Sequence, residues 1–136
     1  MEKIIFDKDI SVFCVTASSF PDGILAAHQK LHSLIPFSME RKYLGLSRLN
    51  EQGEIIYKAA AGESHEGEGQ ALGCETIILK SGVYLSLLIT DFMKDIPAIG
   101  NAFQELLAQP DLDPEGYCVE WYINDKDVKC MIRTTA

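Results

Sequence analysis

The 136-residue chain carries 20 Asp and Glu against 12 Lys and Arg, a formal net charge of −8. That balance speaks against direct nucleic-acid binding, which needs clustered Lys and Arg to meet phosphates; the longest basic run here is Arg41-Lys42. An apolar fraction of 47% with 24% charge suits one folded domain with a core of its own.

In chain order, residues 3–6 and 10–17 read as two short strands joined by the turn Asp7-Lys8-Asp9, the second rich in β-branched and aromatic side chains. Asp22 is placed to cap a helix whose apolar stripe is Ile24, Ala27, Leu31, Leu34 and Ile35, ended by Pro36. Residues 42–49 and 54–61 form a hairpin about Asn50-Glu51-Gln52-Gly53. Residues 62–73 hold four Gly and three Glu with little to bury, and are expected to be a flexible connector. The plan then repeats. Residues 75–80 and 83–90 are strands about the turn Ser81-Gly82. Asp95 is placed to cap a second helix with Pro97 in its first turn and a stripe of Ile96, Ile99, Phe103, Leu106 and Leu107. Residues 117–124 and 127–134 close as a hairpin.

Asp22 and Asp95, Tyr43 and Tyr117, and Asn50 and Asn124 mark corresponding points with a period near 74 residues. The expected architecture is therefore α+β: one domain of two related halves, about 3–61 and 74–135, forming one antiparallel sheet with two helices packed on one side and a central groove. The longest nearly apolar run, Val83 to Ile89, falls far short of the roughly 20 residues of a membrane-spanning helix. The N-terminus lacks the apolar core of a secretion signal. Cys14, Cys74, Cys118 and Cys130 form no CxxC pair and read as reduced thiols of a cytoplasmic protein.

The stretch GYCVEWYIND at 116–125, followed by VKCMI at 128–132, resembles the closing hairpin of GyrI-like proteins, the small-molecule or effector-binding domains of multidrug-responsive transcription regulators. The Gly82-Val-Tyr strand, the helix after Asp95 and the repeat extend the resemblance over nearly the whole chain. It implies a duplicated β-α-β-β fold and a ligand pocket in which Glu120 is the acid and Tyr122 the following aromatic. Many relatives carry an N-terminal DNA-binding helical domain; this chain begins at its first strand and is expected to be a stand-alone member.

Strand alternation puts Cys118, Glu120 and Tyr122 on one face and Val119, Trp121 and Ile123 on the other. The apolar face is expected to pack beneath a helix, leaving Glu120 and Tyr122 facing a groove. A lone carboxylate among aromatic rings offers a cation both a countercharge and π faces. Tyr43, Tyr57 and Tyr84 are the further candidate ring partners. His28 and His32, four residues apart on the first helix, lack a third ligand and read as helical histidines, not a metal site. No serine triad or phosphate loop is evident, so no metal or cofactor is expected. The leading expectation is binding of hydrophobic, often cationic small molecules, as an effector sensor related to transcription regulators. One alternative is a hydrolase of electrophilic compounds with Glu120 as general base; another is a gyrase-inhibitor-like interaction module. A protein partner or homo-oligomer fits either kind of module.

Overall fold

In the computed structural model, which describes residues 1–135, the strands are β1 (Glu2–Phe6), β2 (Ile10–Thr16), β3 (Tyr43–Leu49), β4 (Ile55–Gly62), β5 (Glu75–Leu79), β6 (Gly82–Ile89), β7 (Cys118–Tyr122) and β8 (Val128–Arg133). The helices are α1 (Ile24–Leu34), the one-turn α2 (Glu68–Ala71) and α3 (Pro97–Leu107), with a 3-10 turn at Phe92–Lys94. All eight strands join one antiparallel sheet in the order β1-β6-β8-β7-β3-β4-β2-β5. The α+β class read from the sequence is the one observed.

Two of the four expected hairpins do not form. β3 pairs with β4 and β7 with β8, but β1 pairs with β6 and β2 with β5. The consequence is geometric. β1 and β2 stand first and seventh in the sheet, about 29 Å apart if it were flat at about 4.8 Å per strand. The link from Phe6 to Ile10 spans at most about 15 Å at about 3.8 Å per residue step. The sheet must therefore curl until its two ends meet. Ser81 N–H donates to Asp9 Oδ1 at 2.7 Å, tying the two short links together.

Curling gives the sheet an inner face with its own core: Val12, Cys14, Leu44, Leu46, Ala60, Leu79, Tyr84, Val119 and Met131, with Phe6 and Trp121 packed alongside. The other face carries the helices. α1 buries Ala27 and Leu31, with Ile35 just after it, against Phe13, Tyr43, Ala59 and Ala61. α3 buries Ala102 and Leu106 against Val128, Cys130 and Ile132. Val119 and Trp121 thus line the inner core and lie under no helix, contrary to the sequence reading. Ile123 is exposed. It is the Cys118–Glu120–Tyr122 face that turns toward the helices.

The helix starts also differ from expectation. Neither Asp22 nor Asp95 caps through its side chain; Gly23 and Ile96 occupy the cap positions. The Asp95 carbonyl accepts from Ala98 N–H at 3.0 Å. In the α3 stripe, Ile96 and Leu107 stand exposed instead of buried. The 62–73 segment contains α2 and is anchored by charge. Arg41 donates to Glu68 Oε1 and Oε2 at 2.7 and 3.1 Å, and to the Gly62 carbonyl at 2.8 Å. Glu63 accepts from Gly69 N–H at 2.8 Å.

β1 and β5, α1 and α3, and β4 and β8 each begin 73 residues apart in the chain. Exchanging β1–β4 with β5–β8 leaves the strand order unchanged when read from the other end. Tyr43 and Tyr117, however, are not equivalent: Tyr43 faces α1 and Tyr117 packs on the inner core. A one-residue slip in a strand reverses every side chain.

Candidate functional site

β3 and β7 form the middle of the sheet, between the areas covered by α1 and α3, with Gly45 opposite Glu120 and Tyr43 opposite Tyr122. A groove runs along this seam. Phe20, Ile24, Leu25 and His28 form its α1 bank; Phe92, Met93, Ile96, Ile99, Gly100 and Phe103 form its α3 bank; Glu120 and Tyr122 lie at its floor. Leu25, Met93 and Ile96 are each more than half exposed, and Phe37 and Met39 extend the α1 bank as an apolar rim.

Four hydrogen-bonding contacts organise the floor, the longest being the 3.4 Å between the Tyr57 and Tyr122 hydroxyls. Tyr122 donates to Glu120 Oε1 at 2.5 Å, and Tyr57 donates to the same oxygen at 3.0 Å. His28 Nε2 lies 2.8 Å from the Tyr57 hydroxyl. Both phenols converge on Oε1. Among the described residues Oε2 has no hydrogen-bond partner, and Glu120 lines the groove.

Gly45 makes this convergence possible. A Cβ there would lie 2.1 Å from the Tyr57 hydroxyl and 2.8 Å from Glu120 Oε1. The missing side chain is the notch through which Tyr57, buried at 1% exposure, reaches across from β4. Aromatic rings close the surroundings. The His28 ring meets Tyr122 edge-on at 5.4 Å, Phe92 lies 5.5 Å from Tyr122, and Phe20 lies 6.2 Å from Tyr57.

The electrostatics follow from burial. Desolvation raises the Glu120 carboxyl above its ordinary range, opposed by the Tyr122 and Tyr57 hydrogen bonds. Burial, reinforced by the Glu120 charge, pushes both phenols up as well. Burial, with His32 one turn along, lowers His28 to about 4. At neutral pH His28 is uncharged, and Glu120 is the acidic group of the network. No ion pair to Glu120 exists among the described residues: Arg133 pairs with Asp113 at 2.9 Å, and Arg48 stacks on Tyr117 at 4.4 Å.

Of the candidate tyrosines, the structure brings Tyr122 and Tyr57 to Glu120. Tyr43 borders the groove, but its hydroxyl accepts from Ser38 N–H at 2.9 Å and its ring stacks on Phe37 at 5.5 Å. Tyr84 lies on the inner face, donating to the Lys80 carbonyl at 2.8 Å and packing on Phe6 at 4.9 Å. It does not meet Glu120. His28 was missed as a site residue. Its signal was positional: four residues after Ile24 and three before Leu31, it sits at the edge of the apolar stripe. Gly45 gave no signal, because its role depends on a residue 75 positions away.

No family model matches the chain, and no curated protein is similar to it. Among solved structures, it is similar to an integron cassette protein from the mobile metagenome of Vibrio cholerae. That TM-score is 0.72 at 16% identity, covering 98% of this chain and 94% of the other. It is also similar to a hydrolase from Listeria innocua, with a TM-score of 0.57 at 10% identity, covering 98% and 90%. At these identities the likeness is one of fold.

Proposed function

We propose that the groove binds small, largely apolar and often cationic molecules, and that the chain is a GyrI-like effector-binding domain built from two related halves. The observation that carries this reading is that Glu120 lies at the floor of an apolar, ring-lined groove with its Oε2 unpartnered among the described residues. A carboxylate held partly out of water favours an arriving cation, and the surrounding rings present π faces to it. Neutral His28 adds no opposing charge. Broad selectivity follows from an apolar rim with a single fixed charge. A sensor related to transcription regulators is the role that suits such a module.

The test is thermal stabilisation across matched pairs of lipophilic cations and neutral analogues of similar shape. Ligands that bind the folded chain raise its melting temperature by mass action. Cations should stabilise the protein more than their neutral counterparts, and Glu120→Gln should remove that difference. Equal stabilisation by both members of every pair would count against the reading.

A second reading rests on the same atom. Oε2 can accept a proton from a water whose oxygen attacks a strained electrophile, the strained bond opening as the water adds, which is general-base hydrolysis. The fold shared with the Listeria innocua hydrolase is compatible with it. Turnover of strained electrophiles that vanishes in Glu120→Gln would favour catalysis over binding alone.

A further inference from the structure

Tyr57 has a single hydroxyl proton and two close polar neighbours, Glu120 Oε1 at 3.0 Å and His28 Nε2 at 2.8 Å; a third, the Tyr122 hydroxyl, lies farther off at 3.4 Å and gives its own proton to Oε1. An ionised carboxylate can only accept. If Tyr57 donates to Glu120, the His28 contact is a hydrogen bond only when His28 carries its proton on Nε2 and donates to the phenol oxygen. The opposite tautomer would draw the Tyr57 proton toward His28 and leave Glu120 with one donor. The tautomer of a helix residue outside the sheet therefore selects how the carboxylate is held.

We propose that His28 is the positioning residue of the Glu120 site: its neutral ring donates from Nε2 to the Tyr57 hydroxyl oxygen, which directs the Tyr57 proton onto Oε1 and leaves Oε2 as the edge offered to a ligand. The arrangement rests on reading the groove as a cation site, and extends it by naming the residue that sets the carboxylate's orientation and ionisation. A phenol that accepts one hydrogen bond becomes a stronger donor in the next. His28 thus supports the charged form of Glu120 without touching it.

The Nε2–H donor is present in the charged ring as well as in the matching neutral tautomer, and the surroundings keep the ring neutral so that it adds no charge to the site. Burial and His32 hold His28 at about 4. The titratable groups facing the pair are Tyr57 on β4, Tyr122 and Cys118 on β7, Cys130 on β8 and His32 on α1, together with Tyr43 beside Tyr122 on β3. The α3 bank contributes Phe92 and Phe103, which do not titrate. Of the groups in this network, Glu120 is the carboxyl, and burial raises it above its ordinary range.

The experiment uses ligand-free protein and two nuclear magnetic resonance readouts. Nitrogen-15 shifts of the His28 ring, at a pH where Glu120 is ionised, should report the Nε2–H tautomer. The Glu120 carboxyl carbon, assigned by its loss in Glu120→Gln, should titrate at higher pH in His28→Leu than in wild type. The expected move is about one pH unit, a tenfold change in the ratio of charged to neutral carboxyl. His28→Gln, which keeps an N–H donor near the same position, should restore most of it. An Nδ1–H tautomer in the wild type, or a Glu120 titration unmoved in a folded His28→Leu, would overturn the proposal. The tautomer measurement needs no variant, so a misfolded substitution does not leave the question open. Tetraphenylphosphonium binding is measured separately. Its absence in protein with the expected tautomer would defeat the cation-site reading while leaving the positioning role intact.

Discussion

At the scale of single residues, the site depends as much on an absent side chain as on those present. Gly45 lies opposite both Ala59 and Glu120 in the register, and its missing Cβ is the space into which the Tyr57 hydroxyl projects. Tyr57 is buried between sheet and α1, so it cannot swing aside as an exposed side chain would. Gly45→Ala should destabilise the fold by about 1–3 kcal/mol, the usual scale of overpacking, measured by denaturant unfolding. Combined with Tyr57→Ala, the two costs should sum to less than their separate values, because the second change removes the clash created by the first. A Gly45→Ala protein as stable as wild type, with Tyr57 in place, would contradict the notch. Glu120→Gln is the gentler probe. It removes the charge but keeps an acceptor oxygen for the two phenols.

At the scale of elements, charge anchors the segment that its composition marks as loose. Glu68 sits on α2, and its paired oxygens meet the Arg41 guanidinium, with both side chains only about a tenth exposed. The Arg41 hydrogen bond, aided by bonds from Ser64, lowers the Glu68 carboxyl to about 2. A depressed folded-state value contributes stability that is present above the ordinary carboxylate range and is lost as pH falls toward 2. Glu68→Gln should therefore lower the melting temperature at pH 7, and the gap to wild type should narrow as pH falls from about 5 to 2. Amide exchange across 62–73 should quicken in the same variant. A constant gap across that pH range would show that the ion pair is not the anchor. The elements also explain what was legible. Helix stripes and strand alternation depend on neighbours within a few residues, so eight strands, α1 and α3 were readable along the chain. α2 was not, because its turn is held by Arg41 from 27 residues away. The faces of β7 were assigned backwards for a related reason. Both faces of this sheet are covered, one by helices and one by its own curl, so an apolar Val119 and Trp121 did not reveal which cover they met.

At the scale of the molecule, the short links between β1 and β2 and between β5 and β6 make each half depend on the other. β1 finds its partner in β6, and β2 gains its outer partner in β5. The inner core draws on strands of both halves. A fragment of residues 1–62 should lack a cooperative thermal transition, and mixing it with 74–136 should restore one, read by circular dichroism. A first-half fragment that unfolds cooperatively alone would contradict this account. The same crossing hid much of the site from sequence reading. Glu120 and Tyr122 are legible from one strand and Tyr57 is among the candidate rings, but which ring reaches Glu120, and the part of His28, depend on residues 63 and 92 positions before it that only the fold joins. The central claim is that Glu120 makes this seam a cation site. Calorimetric titration of wild type and Glu120→Gln with tetraphenylphosphonium at pH 7.5 tests it most directly. The account predicts binding by the wild type and a loss of about 1–2 kcal/mol in the variant, the scale of a partly desolvated charge interaction; unchanged affinity in Glu120→Gln would contradict it.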